Sequence, residues 1–259
     1  AGLVLGSAWL GWDYWQQQPV FAERFVTSRG QQLSVTLPEG SGLRLDTATR
    51  VEVSLHRHQR VVTLPQGQAL FDVKPDPARP FVVRAGPVQI TVLGTRFSAR
   101  RTEAGLDAGH VRVVVEEGRV RLTRAPDAVG AVGSSDAGSA AAGKDADGPQ
   151  RAAAVPSDGR AESLELTAGQ AVVADAWGHF GPVTLAALGS ALAWRDGRVV
   201  LDDTPLDQAV AEFERHLDTG LVVSDPVVAR LRLNGSFDPR QINAFKRSLV
   251  RALPAQLQT

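Results

Sequence analysis

The sequence predicts a mainly β protein: an elongated β domain, either solenoid-like or a twisted pair of sheets, followed by a small α/β module. Two observations support this prediction. Between residues 31 and 123, apolar and polar residues alternate, as in LSVTL at residues 33–37 and VEVSL at residues 51–55. A period of two places one side of each strand on a core and the other side in water. After residue 177, strand-like runs are interleaved with apolar stripes of helical spacing.

Further short apolar runs continue the β pattern, at residues 61–64, 69–73, 81–84, 88–93, 111–115 and 119–123. Turn-forming residues separate them, including Pro38-Glu39-Gly40 and Gly86-Pro87. Short strands at this spacing indicate a sandwich, a barrel or a solenoid, and the spacing does not choose among the three.

Residues 125–163 have a different composition from the segments on either side. They are rich in Ala, Gly, Ser, Asp and Pro and contain no aromatic residue, Leu or Ile. Such a segment cannot bury enough apolar surface to offset the entropy lost on ordering it. Because the β pattern resumes at residues 164–166, we expect a disordered insertion in a surface hairpin. An inter-domain linker is the alternative.

The α/β module is predicted from a change of period near the end of the chain. Residues 198–201 read as a strand, and Thr204 and Pro205 then suit the N-cap and first position of a helix. The first apolar stripe is Leu206, Val210, Phe213 and Leu217, and the second is Ile242, Phe245, Leu249 and Leu253. Residues 221–223 and 231–233 read as strands between the two helices.

The first residues of the chain are uncharged and mostly apolar, and an aromatic cluster follows them. Residues 1–12 read AGLVLGSAWLGW, and Tyr14 and Trp15 come next. Aromatic residues collect at membrane interfaces. We interpret residues 1–12 as the outer end of a transmembrane helix and expect the chain to be part of a longer gene product. A core helix or the tail of a signal peptide would give a similar pattern.

Nine short fragments in a fixed order carry a resemblance to a known family. They are LPEGS (37–41), LRLDT (43–47), LPQGQALFDV (64–73), RPFVV (79–83), VLGTRF (92–97), VEEGRV (115–120), LTAGQ (166–170), WRDGRVVLDDTPL (194–206) and LRLNGSF (231–237). Together they resemble the periplasmic part of a FecR-type transmembrane sigma-factor regulator, an anti-sigma factor. The α/β module is similar to the secretin and TonB N-terminal (STN) fold.

The resemblance implies a division into three parts. Residues 1–18 would be the end of a transmembrane helix and a juxtamembrane segment. Residues 19–181 would be the FecR-type β domain, with the insertion at 125–163, and residues 182–259 would be the STN-like module. Relative to the family, the cytoplasmic segment is absent, the insertion is long, and the chain ends soon after the second predicted helix.

The resemblance also implies a function in the periplasm, anchored in the inner membrane of a Gram-negative bacterium. The signalling domain of a TonB-dependent outer-membrane transporter would contact this region. Periplasmic and intramembrane proteases would then release a cytoplasmic segment, and an extracytoplasmic-function sigma factor would direct transcription of iron-chelate uptake genes. The sigma factor would be held only through that cytoplasmic segment. A structural or carbohydrate-binding β protein of the cell envelope is the alternative.

Two sets of residues follow as site predictions. Partner contact by strand addition would use the two predicted strands of the module: Leu221, Val222, Val223, Leu231, Leu233 and Phe237. The alternative is that these are simply core strands. The motif residues are expected to set the fold and to do no chemistry: Gly40, Gly67, Phe71, Phe81, Gly94, Thr95, Phe97, Gly118 and Trp194. Asp46 and Thr47 are expected to hold a turn through bonds to the local backbone.

Composition and motifs disfavour enzymatic, metal and nucleic-acid functions. The chain has no cysteine, which excludes disulfides and thiol chemistry. His56 and His58 could share a strand face, but the sequence offers no third metal ligand. The 28 basic and 28 acidic residues cancel, so Arg57, Arg60, Arg100 and Arg101 are interpreted as solvated side chains. We therefore expect no cofactor, no metal and no nucleic-acid partner.

Overall fold

The computed structural model describes residues 18–125 and 163–252. The predicted transmembrane end at residues 1–12 and nearly all of the predicted insertion lie outside these ranges. Within them, no helix has the length and apolar character needed to span a membrane.

Thirteen strands of the described chain form one continuous sheet. They are β1 (Phe21–Val26), β2 (Leu33–Thr36), β3 (Gly42–Leu45), β4 (Arg50–Leu55), β5 (Arg60–Asp72), β6 (Phe81–Ala85), β7 (Val88–Val92), β8 (Arg96–Arg101), β9 (Val111–Glu117), β10 (Arg119–Arg124), β11 (Ser163–Thr167), β12 (Gln170–Ala174) and β13 (Thr184–Leu185). The mainly β prediction is confirmed, and the sheet curls into a half-barrel.

The thirteen-residue strand β5 makes the sheet curl. Its first half pairs with β4 and, in parallel, with β6, whereas its second half pairs with β3 and β8. Strands β1, β4, β6, β7, β10 and β11 thus form one layer with the start of β5. Strands β2, β3, β8, β9, β12 and β13 form the other layer with its end. One bent strand therefore joins two layers that face each other.

Gly67 lies at the bend in β5 and adopts a φ of 105°. A Cβ atom at this position would lie 2.5 Å from the Cα of Thr49, the residue just before β4. Only glycine permits this approach of the two backbones together with a positive φ.

The core of the β domain lies between the two layers and is almost entirely apolar. Phe71 and Phe97 stack with their ring centroids 5.0 Å apart, and Phe81 meets Phe71 edge-on at 6.2 Å. All three rings are fully buried. Each contributes about 1.5–3 kcal/mol of burial free energy, beyond which the aromatic pairs add further stabilisation.

The module follows a short connector. The connector consists of α1 (Leu188–Ala191) and a 3₁₀ turn (Ala193–Asp196). The module then contains β14 (Val199–Pro205), α2 (Leu206–Glu214), α3 (Pro226–Ala229), β15 (Arg232–Phe237), a 3₁₀ turn (Pro239–Gln241) and α4 (Ile242–Ala252). Strands β14 and β15 pair antiparallel. From the two predicted stripes, one small core includes Leu206, Val210, Phe213, Phe245 and Leu249, and Ile242 packs against it. Leu217 of the first stripe lies beyond the helix, which ends at Glu214, and Leu253 of the second lies outside the described residues.

The predicted strand at residues 221–223 is wrong. This segment has neither strand nor helix structure and pairs with no described strand, and Val222 is 87% exposed. Side chains just before it bind its backbone: Gly220 N donates to Asp218 Oδ1 and Leu221 N donates to Thr219 Oγ1. Such local bonds compete with a ladder. The second predicted strand, at residues 231–233, is observed one residue later and extends to Phe237 as β15.

The predicted N-cap at Thr204 is also wrong. Thr204 lies in β14, and its hydroxyl donates to the carbonyl of Asp202 at 3.2 Å. The register with β15 shifts between Leu201 and Thr204, so this bond closes a bulge and does not cap a helix. The helix begins at Leu206, with Pro205 in the cap position and no side-chain cap.

Candidate interaction site

The connector holds the module to the outer face of the β domain. Leu192 and Trp194 are buried against Leu70 of β5. The carbonyl of Trp194 accepts a hydrogen bond of 2.6 Å from Gln32 Nε2. Arg195 pairs with Glu116 of β9 at 3.1 Å. The connector is therefore fixed to three strands or loops of the β domain before the module begins.

A buried ion pair lies where α2 of the module meets β8. Arg100 Nη1 donates to Glu212 Oε1 at 3.1 Å, and Arg100 Nη2 binds the other carboxylate oxygen. Arg100 Nη1 also donates to Gln68 Oε1 at 3.1 Å. The side chains of Arg100 and Glu212 are only 7% and 3% exposed. This bidentate pair is the strongest geometry that an arginine and a carboxylate can adopt.

A second arginine extends the pair across the contact. Arg215 Nη1 donates to Glu212 Oε1 at 2.8 Å, and its Nη2 lies 3.8 Å from Asp46 Oδ2. Arg215 Nη2 also donates to the carbonyl of Thr47 at 3.2 Å. In return, Thr47 Oγ1 donates to the carbonyl of Arg215 at 2.7 Å. Two cations and two anions thus alternate in a desolvated row, which we call the Glu212 cluster (Arg100, Glu212, Arg215 and Asp46).

A loop of the β domain completes the contact from the other side. Leu106 N donates to Glu212 Oε2 at 3.0 Å, and the carbonyl of Leu106 accepts from Arg100 Nε at 3.1 Å. The Leu106 side chain packs on the module's core. Gly105, with a φ of 84°, lies so close that its Cβ position is 2.3 Å from Glu212 Oε2. The loop therefore fits around the carboxylate.

The cluster fixes the charge states of its members. Burial would raise the pKa of Glu212, but the charges of Arg100 and Arg215 and the hydrogen bonds of Arg100 and Leu106 lower it to about 2. Burial alone would lower the pKa of Arg100, but the negative charge of Glu212 and its hydrogen bonds outweigh burial, so the pKa of Arg100 is raised. The pKa of Arg215 is lowered, by burial and by repulsion from Arg100. Burial likewise lowers the pKa of the neighbouring His216. Glu212 therefore stays ionised at neutral pH.

A cleft of about 570 Å³ lies beside the cluster. The exposed edge of β14 forms its wall on the module side, and β9, β12, β13 and residues 186–191 form the wall on the side of the β domain. Among the described residues, β14 has only β15 as a ladder partner, and β13 has only β12. Two open strand edges thus border one polar cleft.

The six predicted partner-binding residues divide into two groups. Val222 is exposed, whereas Leu221, Val223, Leu231, Leu233 and Phe237 are half-buried. The ring of Phe237 meets Phe213 and Phe245 edge-on, with centroids 6.0 Å and 5.3 Å away. Phe237 therefore packs on the module's core, and β15 offers its backbone and the exposed Arg232, Asn234 and Ser236.

The predicted motif residues lie at turns, at strand ends and in the cores. Phe71, Phe81, Phe97 and Trp194 are buried. Gly40, Gly67 and Gly118 have positive φ, and Gly94 lies against Pro75, which leaves no room for a Cβ. Thr95 Oγ1 donates to the carbonyl of Arg119 at 2.8 Å. Thr47 Oγ1 accepts a hydrogen bond from Gly30 N at 2.7 Å and donates to the carbonyl of Arg215. These are not the local turn bonds predicted for Thr47, because Gly30 and Arg215 belong to two other segments.

The interpretation of the arginines as solvated side chains is wrong for Arg60 and Arg100. Arg60 is 1% exposed, donates to the carbonyls of Lys74 and Arg79 at 3.0 Å, and lies over the Phe81 ring. Arg100 belongs to the Glu212 cluster. Across the described parts of the chain, no group of three or more His, Asp and Glu side chains could hold a metal ion.

Sequence reasoning missed the Glu212 cluster entirely. One signal was available: Ala209, Glu212 and His216 recur at helical spacing beside the apolar stripe of α2, which places Glu212 on the edge of a buried face. No local signal identifies its partner Arg100, because the two residues are 112 positions apart.

Comparisons with known proteins show similarity to one family model over part of the chain and to solved structures over most of it. Residues 23–121 match the model of the family described as FecR protein. Two crystal structures of a "putative anti-sigma factor" from Parabacteroides distasonis, at 2.50 Å and 1.65 Å resolution, are similar to this chain with a TM-score of 0.64 and 17% identity. Each comparison covers 92% of this chain, and 95% and 94% of the respective other chain. At this identity the likeness shows a shared fold. No curated protein matches.

Proposed function

From the match of residues 23–121 to the FecR family model, we propose that this protein is the signal-receiving region of a transmembrane anti-sigma regulator. The family match is the observation that carries the proposal, because it runs from β1 into β10 and so covers most of the β domain. The family favours a role in signalling regulation over catalysis.

The proposed partner is the signalling domain of a TonB-dependent outer-membrane transporter. The regulator would act in the periplasm, anchored in the inner membrane, where periplasmic and intramembrane proteases cleave it after contact. A sigma factor released through the cytoplasmic segment would then direct transcription of iron-chelate uptake genes. The module, with its order of strand, helix, strand and helix, is proposed to be STN-like.

The proposed contact is strand addition to the module. In the described chain, β14 and β15 form a sheet of only two strands, so each has one side without a ladder partner. An extended segment of a partner can bind such an edge through main-chain hydrogen bonds, with side-chain pockets adding specificity. The exposed Arg232, Asn234 and Ser236 on β15 would contribute that specificity.

Calorimetry with isolated transporter signalling domains from the same genome tests this proposal. The chain without residues 1–18 should bind one domain at micromolar affinity or better and ignore the others. The matched control ends after Gly197, which retains the connector on Leu70 and removes β14 and everything after it. This control should not bind.

Two results would contradict the proposal. Equal binding by the control would move the contact to the β domain. No binding by the longer chain to any signalling domain would contradict the transporter relay, and would favour a structural or carbohydrate-binding protein of the cell envelope. That alternative is tested by binding to cell-wall glycans.

A further inference from the structure

The module and the β domain have separate hydrophobic cores. The core of the β domain is formed by residues of the curled sheet alone, and the module's core is formed by β14, α2 and α4. Within the module, Phe213 and Phe245 stack at 4.0 Å, and Phe237 closes the cluster. Leu106 is the β-domain side chain that packs on the module's core in the described structure. Separating the two bodies would therefore leave both cores closed.

Charge, not apolar surface, holds the facing surfaces of the two bodies together. The four side chains of the Glu212 cluster are each less than a tenth exposed. Arg100 and Asp46 belong to the β domain, whereas Glu212 lies in α2 and Arg215 directly follows that helix. A buried ion pair adds little net stability over an apolar pair, but loss of one member leaves the other charge unpaired and desolvated. Such a contact requires one defined geometry, and the loss of one charged member destabilises the whole contact.

Glu212 binds both Arg100 and the Leu106 amide of the β domain, whereas the further pair between α2 and the β domain, Arg29 with Glu214, is 54% and 33% exposed. The Glu212 carboxylate accepts from Arg100, from Arg215 and from the Leu106 amide. Arg215 in turn binds Asp46 and Thr47. Displacement of this one carboxylate would leave both arginines without their main partner. The 570 Å³ cleft alongside gives the module space in which to move.

We propose that the contact between α2 and the β domain is a releasable joint, from which the module undocks as an intact folded body when Glu212 leaves Arg100. Undocking would expose Arg100, the 105–106 loop and the edge of β14, while the connector stays on Leu70. The joint is formed by residues of this chain only, so it can be tested without a partner. Its use by a signalling partner rests on the proposed function.

Two glycines in one loop make a matched test. Gly105 and Gly109 both have positive φ, of 84° and 76°, so Ala causes backbone strain of the same kind at either position. At Gly105 the added Cβ would lie 2.3 Å from Glu212 Oε2, whereas at Gly109 it would meet nothing within 4 Å. Gly105→Ala therefore displaces the carboxylate without removing a charge, and Gly109→Ala is its control.

The Leu106 amide reports the docked state directly, because it donates to Glu212 Oε2. Hydrogen exchange of the whole chain, followed residue by residue, is the measurement. In Gly105→Ala we expect the Leu106 amide to exchange at least tenfold faster than in Gly109→Ala. The α2 amides of Val210 and Phe213 should exchange far more slowly than the Leu106 amide in both variants, because the module's core remains closed after undocking.

Glu212→Gln provides a second, independent variant that removes the charge and keeps the shape. It should give the same pattern: fast exchange at Leu106 and continued strong protection of Val210 and Phe213. Its control is Glu165→Gln, in the exposed pair of Arg121 and Glu165 on β10 and β11. Two outcomes would overturn the proposal. One is an unchanged Leu106 rate in both test variants. The other is exchange of the Val210 and Phe213 amides as fast as that of the Leu106 amide, which would mean that the module unfolds when it is released.

Discussion

The core of the β domain and the joint are equally dry, yet opposite kinds of side chain fill them. Phe71, Phe81 and Phe97 have no exposed surface and pack on one another, and the Arg60 guanidinium lies over the Phe81 ring. At the joint, Arg100 and Glu212 are almost as completely buried, but each is charged. Apolar burial stabilises in proportion to area and tolerates small shifts. A buried ion pair depends on exact contact distances, so the same degree of burial gives a contact that can be lost in one step.

The largest expected effect is the loss of an aromatic ring from a core. Phe71→Ala removes one ring from a fully buried stack, and we expect it to lower the free energy of unfolding of the β domain by about 4 kcal/mol. Phe245→Ala makes the same change in the module, where the ring stacks on Phe213. Denaturant unfolding followed separately in the two bodies should show that each variant lowers mainly its own transition. Equal shifts of one common transition would contradict the comparison, because the two cores would then unfold together.

Removal of the charge at the joint should have the next largest effect. We expect Glu212→Gln to weaken docking by about 3 kcal/mol, because Arg100 and Arg215 lose the anion that compensates their burial. Glu165→Gln breaks a pair whose members are 58% and 64% exposed, and should cost about 0.5 kcal/mol. The shift in denaturation midpoint of each variant, relative to the wild type, measures these two free-energy changes. Equal, small effects would indicate that water reaches the joint.

The joint should also respond to acid. The pKa of Glu212 is lowered from 4.5 to about 2 in the folded protein. Its ionised carboxylate therefore contributes stability in full above pH 4.5, and this contribution is lost as the pH falls from 4.5 toward 2. At about 1.4 kcal/mol per pKa unit, the total is about 3 kcal/mol. Stability measured from pH 6 to pH 2.5 in wild type and Glu212→Gln should converge as the pH falls. A constant difference across this range would contradict the assignment.

His216 adds a smaller pH dependence of the same sign. Burial lowers its pKa below 6.5, so the neutral imidazole is favoured in the folded protein. Its contribution is full above pH 6.5 and is lost as the pH falls through the lowered pKa. Glu212, Asp46, Arg215 and Arg100 all lie near this ring. His216→Gln should therefore flatten the curve near pH 6 and leave the loss below pH 4.5 unchanged.

Strands could be predicted from the sequence where only one face of the strand is buried, because apolar and polar residues then alternate. The alternation at residues 51–55 places Val51, Val53 and Leu55 in the core, where the structure has them. In β8 the pattern fails, because Phe97, Ser98, Ala99 and Arg100 are all buried. One face of β8 lies on the core and the other lies under the module, and the second burial comes from a helix more than a hundred residues away. Local periodicity contains no information about such a contact.

The prediction of partner-binding residues shows the same limit. Residues 221–223 and 231–233 were both apolar enough to be strands, but only the second finds a partner, β14. Which of two similar runs pairs depends on the path of the chain after α2. That path is fixed by Asp218, Thr219 and the buried end of the helix. The family resemblance, in contrast, was available from nine local fragments, because turns and core aromatics are local features.

The smallest expected effect on stability distinguishes an exposed apolar residue of the module from a packed one. Val222 is 87% exposed and lies in no ladder, so Val222→Ser should change the free energy of unfolding by less than about 0.5 kcal/mol. Phe237→Ala should cost about 3 kcal/mol, because the ring meets Phe213 and Phe245.

Calorimetry with the transporter signalling domain that binds the wild type then separates two roles. Weaker binding by Val222→Ser at unchanged stability would make Val222 a direct contact. Weaker binding by Phe237→Ala alone would instead follow from damage to the core, and would leave the edges of β14 and β15 as the contact to be tested.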